Sequence, residues 1–404
     1  MEHIETIVVG GGQAGLATSY YLKERGREHL VLEKSERPAS NWRDRSWDSF
    51  TLVTPNWAFR MPGAKSDNGS HDGFMHRNQV IQFFEDMVGE FKLPVKYKSQ
   101  VTSIAPSDHD GYLVQTHGKD YKAKNVIIAT GFFQHPRIPA FAGNISPDIR
   151  QLHSSGYRNP KMLPPGNLLI VGSGQSGSQI AEELCLAGRK VYLSTGRAGR
   201  VPRSYRGKDI FEWLELTGFL NLTPEQLPPG MGKFDGIPQL SGKEGHSINL
   251  HQFVRDGVIL LGHLIGAEGH RVAIAPDLHK NLEIMDKFES NVAEIIDGYI
   301  LEHGLACPAE NLPQLRDGYE QGVLEELDLK KEGITAIIWA VGYTFDYSLV
   351  QLPVLDENGF PVQSNGVTNY PGLYFVGLPW MPSEKSGFLI GVAESARQIA
   401  SSIM

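Results

Sequence analysis

The sequence predicts an α/β protein in which one unit of strand, glycine turn and helix is set inside another. Three observations predict it: a β-branched run that ends in glycines near the N-terminus, a second copy of that device near residue 170, and two apolar strands that each end in Ala-x-Gly. With 404 residues, 41% hydrophobic and 21% charged, the chain is long enough for two such domains.

The first unit reads ETIVVGGGQAGLATSYYLKERG, residues 5–26. Its β-branched run stops at Gly10-Gly11-Gly12-Gln13-Ala14-Gly15, and Leu16, Ala17, Tyr20 and Tyr21 then mark a helical face that ends at Gly26. Gly10 bends the chain, Gly12 lets the backbone approach a pyrophosphate, and Gly15 lets helix and strand pack closely. Free amides at the helix start, around Gln13 and Ala14, face the phosphates. Glu33 ends the next strand 18 positions beyond Gly15, followed by Lys34. A carboxylate there accepts both hydrogen bonds of a ribose diol, which is dinucleotide-binding (Rossmann-like) spacing.

The second copy, NLLIVGSGQSGSQIAEELCLAGRKVYLST, holds Gly172, Gly174 and Gly177 in the same register, with Gln175 and Ser176 at the helix start and Gly188 at its end. Eighteen positions beyond Gly177 stands Thr195, preceded by Ser194; no acid is near, and Arg197, Arg200 and Arg203 follow. A carboxylate would repel a 2′-phosphate, whereas hydroxyls and guanidinium groups hold one, so the expected ligand is NADPH rather than NADH. Two such folds need two nucleotides: the acid-bearing copy suits FAD, and the inserted copy suits the nicotinamide that reduces it. The expected division is a discontinuous FAD domain, 1–157 and 333–404, and an NADPH domain, 158–332, that carries a helical and hairpin insertion.

KNVIIATGFF (124–133) and GITAIIWAVGYTFD (333–346) are the expected crossing points between the domains. Thr130, Gly131 and Gly342 would turn the chain there, close to a cofactor. Gly372 to Gly377 reads as a strand that returns to the first sheet, with Leu378 where many FAD folds carry an aspartate. The last helix is expected to start near Ser386-Gly387, just before Phe388, with amides available to an electron-rich flavin edge. Within 200–332, GKDIFEWLELTGFL looks helical and GVILLGHLIGAEGHRVAIAP looks like a hairpin around Gly266 to Gly269. A long amphipathic helix follows, with Leu278, Leu282, Met285, Phe288, Val292, Ile295, Ile296 and Tyr299 as its apolar stripe.

RSWDSFTLVTPNWAFRMPG, residues 45–63, keeps neither a helical nor a strand period, and Pro55 and Pro62 break any ladder. It reads as a shaped aromatic loop. Trp42, Trp47, Trp57 and Phe59 either wall a flavin and its substrate or bury the loop against the sheet.

The net charge of −8 and pI near 6.0 argue against a nucleic-acid partner, which demands a cationic face. No run is apolar enough to cross a bilayer, and the N-terminus enters a strand at once, so a soluble cytoplasmic protein without membrane association is expected. The two cysteines, Cys185 and Cys307, stand far apart, which removes dithiol redox chemistry. The fourteen histidines lack ligand spacing, and no metal site is expected.

The FAD glycines, the inserted NADPH fold, FAG at Phe141 to Gly143 and HSSGY at His153 to Tyr157 follow one order that resembles the flavin-containing monooxygenases, including the plant indole-3-pyruvate monooxygenases. WAVGY, Trp339 to Tyr343, is similar to their later ATGY element. More narrowly, RSWDSFTLVTPNW, PQLSGKEGHSINLHQF and GVILLGHLIGAEGHRV resemble a bacterial flavin-dependent oxidoreductase group associated with the nitrilase-1 gene cluster.

The resemblance implies that NADPH reduces FAD and that O2 is trapped as a flavin C4a-hydroperoxide. One oxygen atom then passes to a small nitrogen, sulfur or carbonyl substrate. Asn56, in TLVTPNW, corresponds to an asparagine that steadies this oxygen chemistry in the family; otherwise it caps a turn. Trp42, Val101, Gly377, Gly387 and Phe388 complete the cofactor-contacting set. The partners implied are a small-molecule substrate and O2, with a homodimer as the assembly to test. An NADPH-dependent oxidase or quinone reductase, and a redox-sensing module without turnover, stand as alternatives.

Overall fold

The computed structural model describes residues 1–64, 70–107, 110–226 and 238–403. β1 (Glu2–Val9) runs through the first glycines into α1 (Gln13–Glu24) and β2 (His29–Leu32). Then come α2 (Ser40–Asp44), the aromatic loop, α3 (Arg77–Glu90), β3 (Val95–Lys96), β4 (Val101–Pro106), β5 (Tyr112–Thr116) and β6 (Tyr121–Ile128). The sheet order is β3-β2-β1-β6-β5-β4, parallel through β6, with β5 antiparallel to both its neighbours. Parallel strands covered on both faces demand continuous apolar runs, and Ile7, Val8, Ile127 and Ile128 are accordingly buried.

The chain leaves this unit through β7 (His135–Pro136) and enters β8 (Arg150–His153), β9 (Asn167–Val171), α4 (Gln175–Leu186) and β10 (Val191–Ser194). A small ribbon of β11 (Ser204–Tyr205) and β12 (Lys208–Asp209) leads into α5 (Ile210–Leu216), and α6 (Leu250–Arg255) into β13 (Ile259–Leu261). The hairpin of β14 (Leu264–Glu268) and β15 (Arg271–Ile274) precedes α7 (Leu278–Glu302), β16 (Glu326–Asp328) and β17 (Ile334–Trp339). The second sheet, β13-β10-β9-β17-β8, is parallel throughout. β18 (Tyr343–Thr344) returns the chain, β19 (Leu373–Phe375) pairs with β6, and α8 (Val392–Ser402) packs on α1.

This topology corrects the expected boundaries. The division at 1–157 and 333–404 puts β8 and β17 in the first unit, yet both belong to the second sheet: Ile338 lies opposite Ile170 of β9 on one side and Leu152 of β8 on the other. The crossings are β7 and β18, which pair antiparallel, so the inserted unit starts and stops there. Three smaller corrections follow from packing. The last helix starts at Val392 because a 3-10 turn, Glu384–Gly387, occupies the expected start. GVILL supplies β13, and the hairpin turns at Gly269 with Gly266 inside β14. Ile295 of the α7 stripe is 53% exposed while Leu278, Leu282, Met285 and Ile296 are buried. Among the described residues no helix is long and apolar enough to cross a membrane.

Candidate functional site

At the end of β1, Gly10 has a φ of +109°, and a Cβ there would lie 2.6 Å from the Ala129 carbonyl oxygen. A Cβ at Gly15 would fall 1.9 Å from the Gly10 carbonyl oxygen, so helix, turn and strand meet backbone to backbone. At Gly12 a Cβ would meet nothing within 4 Å. Open space therefore stands over the first amides of α1, which helix geometry leaves unbonded.

Glu33 is buried, with Oε2 accepting from the Gly11 amide at 2.6 Å and Oε1 from the Ser35 amide at 2.8 Å. It thus braces the glycine turn, and each oxygen keeps acceptor capacity for a diol. The Ser99 amide donates to the Glu33 carbonyl, which brings the start of β4, at Val101, alongside. Gln134 Nε2 holds Thr130 Oγ1 and the Gly131 carbonyl at 3.2 and 2.9 Å. Gly377 faces Ala14, where an added Cβ would come within 2.3 Å of the Ala14 methyl, and Gln13 Nε2 donates to the Gly387 carbonyl at 2.8 Å. The open cradle, the free amides and the carboxylate gather at the C-terminal ends of parallel strands and fit FAD. Of the other expected contacts, Lys34 is exposed, Trp42 packs on Phe50, and Phe388, next to the Gly387 carbonyl that Gln13 holds, joins an apolar cluster with Trp57, Trp213 and Ile390.

The second turn repeats the first. Gly172 has a φ of +101° and its added Cβ would lie 2.6 Å from the Ala340 carbonyl oxygen; at Gly177 the clash with the Gly172 carbonyl is at 1.8 Å; at Gly174 there is again nothing within 4 Å. The flanks differ. Ser194 Oγ donates to the Gly262 carbonyl at 2.9 Å and Thr195 Oγ1 to the Leu261 carbonyl at 2.8 Å, and both residues are buried. Their expected phosphate contact is thereby corrected: the last residue of β13 and the one after it present two carbonyls that these hydroxyls satisfy.

Arg200 is likewise committed, to Asp286 and Glu289 of α7 at 2.8 Å each, and Arg203 to Asp209 at 2.5 Å with its guanidinium over the Phe74 ring. Burial pushes the Asp286 carboxyl up, but hydrogen bonds from His251 and Tyr319 and the Arg200 charge hold it below the usual carboxylate range. Arg197 remains exposed at the turn, with no partner among the described residues. Ser176 sits half-buried in the first turn of α4.

Sequence reading missed the roof over this turn. Gln175 Oε1 accepts from the Leu240 amide at 2.7 Å while its Nε2 donates to the Ser241 carbonyl at 2.6 Å, and Gln239, fully buried, bonds the Ser173 carbonyl. PQLSG is visible as a motif, but nothing local names its partners. The Gly342 carbonyl accepts from the Arg137 amide and from His153 Nε2, both at 3.0 Å, and His153 Nδ1 accepts from the Ser155 amide. These bonds assign the neutral ring with its proton on Nε2, and burial lowers the His153 pKa.

The aromatic loop divides its side chains among three cores. Leu52, Phe59 and Met61 enter the first unit's core, Trp47 enters the second unit's, and Trp57 packs with Trp213 and Phe388. Asn56 Nδ2 donates to the Ser70 carbonyl at 2.8 Å, and the Asn56 amide to the Gly73 carbonyl at 2.9 Å. Cys185 and Cys307 are both free thiols.

Residues 7–212 match the model of the pyridine nucleotide-disulphide oxidoreductase family. The chain is 32% identical to an uncharacterized CzcO-like oxidoreductase of Geobacillus kaustophilus, covering 100% of this chain and 99% of that relative. Its fold is similar to that of a flavin-containing monooxygenase from Stenotrophomonas maltophilia, at 18% identity, 100% and 98% coverage and a TM-score of 0.68. It is also similar to ornithine N-hydroxylase from Kutzneria sp. 744, solved with reduced FAD, NADP+ and L-ornithine, at 17% identity, 99% coverage of both chains and a TM-score of 0.64. The chain belongs to the pyridine nucleotide-disulphide oxidoreductase family, is related along its whole length to a CzcO-like oxidoreductase, and shares the fold of flavin-containing monooxygenases.

Proposed function

We propose that the protein is an NADPH-driven monooxygenase that places one atom of O2 on a small substrate with a nucleophilic nitrogen or sulfur, or a carbonyl. The carrying observation is the pair of matching cradles in a chain whose two cysteines are free and separate, so a reduced flavin has no dithiol to feed. The balance is substrate, O2, NADPH and H+ giving oxygenated substrate, NADP+ and water. When bound, FAD supplies hydride acceptance and O2 activation.

The chain's own residues bind and exclude. The Gly12 to Ala14 amides take the flavin pyrophosphate, Glu33 the ribose, the Gly174 to Gly177 amides the NADPH pyrophosphate, and Arg197 its 2′-phosphate. Trp57, Trp213, Phe388 and Ile390 form an apolar cluster beside the segment that Gln13 holds, and keep water from it. Asn56 acts through the loop it ties to Ser70. Asn56→Ala is expected to cost about 1 kcal/mol of stability while peroxide release stays at the wild-type level.

Stopped-flow spectroscopy tests the proposal. The flavin is reduced anaerobically with NADPH and then mixed with O2. A spectrum distinct from both reduced and oxidised flavin, accumulating before the oxidised form returns, is the expected result. Featureless rapid reoxidation would make the protein an oxidase or quinone reductase, and no bleaching by NADPH a sensor.

A further inference from the structure

Residues 44–50 link the two units through contacts that neither glycine cradle uses. On the first unit's side, Arg77 of α3 donates to the Ser46 carbonyl at 3.0 Å and to Asp48 Oδ1 at 3.2 Å. On the second unit's side, the Asp48 amide donates to the Arg158 carbonyl at 2.7 Å, Asn159 Nδ2 to Asp48 Oδ2 at 2.6 Å, and the Arg158 guanidinium to the Asp44 carbonyl. Trp47 is 6% exposed in the core formed by Tyr157, Ile180 and Leu184. Ser49 Oγ donates to Glu183 Oε1 at 2.5 Å, and Tyr157, fully buried, donates its hydroxyl to Glu183 Oε2 at 2.5 Å.

Glu183 is a residue of α4, the helix whose first turn is the second cradle. Its carboxylate holds two hydroxyl donors, one from each unit, and no cation among the described residues. From Gln175 to Glu183 is about 12 Å of rigid helix, so whatever fixes Glu183 fixes the cradle. Burial, and then the bond to Glu183, keep the Tyr157 hydroxyl protonated as a donor.

We infer that Trp47, Ser49 and Glu183 form a clasp between the units that sets where NADPH lies relative to FAD, so that the aromatic loop governs hydride delivery. These are positioning residues. The inference rests on NADPH reducing the bound flavin, and it stands whether oxygen ends in product or in peroxide.

The test uses the FAD-loaded protein with Ser49→Ala and Glu183→Gln, and Ser49→Thr as the conservative control. Hydrogen exchange at residues 44–50 should quicken in the first two while the amides of β1 and β6 keep wild-type protection. Anaerobic flavin reduction by NADPH should fall about tenfold, near the low end of what losing one hydrogen bond to a charged group removes and below the hundredfold cost of a misplacement near 1 Å. Reoxidation by O2 of flavin reduced with dithionite should be unchanged, and Ser49→Thr should restore both readings. Faster exchange at 44–50 with wild-type reduction rates overturns the inference, as does equal slowing of both half-reactions, which marks general loosening. The reductive half-reaction is read without O2, so a failure to oxygenate any substrate would leave these outcomes unaltered.

Discussion

The two glycine turns are near copies, yet the residues around them differ in every functional respect. Each has a left-handed glycine under an alanine carbonyl, a second glycine whose added Cβ would fall within 2 Å of the first one's carbonyl oxygen, and open space over the helix amides. The first is flanked by a buried carboxylate and laced by Gln13 to the segment that leads into α8. The second has its hydroxyls turned inward, an exposed arginine and a roof of residues 239–241. Turn geometry thus specifies a pyrophosphate, and the strand that follows specifies which nucleotide it belongs to. On the proposed function, a resident flavin and a visiting nicotinamide would be held by one device with two sets of flanks.

Breaking the first turn should have the largest effect. Gly15→Ala places a methyl 1.9 Å from the Gly10 carbonyl oxygen, and overpacking of this kind costs about 3 kcal/mol. The purified protein should then carry on the order of one hundredth of the wild-type flavin affinity, read as flavin absorbance per chain. Glu33→Gln comes next. It weakens the brace on the Gly11 amide and the ribose contact together, by about 2 kcal/mol, and titration of the apoprotein should give roughly thirtyfold weaker FAD binding. Arg197→Ala sharpens the other side of the comparison: KM for NADPH should rise about tenfold while KM for NADH stays put.

The smallest effect concerns the crossing between the units. Burial lowers the His153 pKa from its ordinary 6.5, so the unfolded chain binds the proton first and stability falls with pH below that value. The contribution is complete above pH 6.5 and shrinks as pH drops through the folded-state pKa. Thermal unfolding of His153→Gln should show a shallower loss than wild type between about pH 7.5 and pH 5.5.

Local pattern makes the turns legible, because a glycine clash and a βαβ unit are matters of a few neighbouring residues. Pairing across distance is not legible in the same way. β17 reads as a strand from its own residues, but its sheet depends on β8 and β9, more than 160 positions away. Arg200 has the sequence context of a phosphate ligand, and Asp286 and Glu289, on a helix far along the chain, claim it instead. The hydroxyls of Ser194 and Thr195 are lost to carbonyls at and just past the end of β13 for the same reason. The aromatic loop is readable as a cover, and the structure makes it a joint, since Trp47 belongs to the core of the other unit.

Anaerobic mixing of Gly177→Ala with NADPH probes the division of labour between the turns most directly. This substitution drives a methyl to 1.8 Å from the Gly172 carbonyl oxygen and leaves the first turn untouched. One nucleotide to each turn predicts a yellow protein with full FAD content whose flavin stays oxidised with NADPH and bleaches with dithionite. Loss of FAD, or bleaching by NADPH at the wild-type rate, would contradict that assignment.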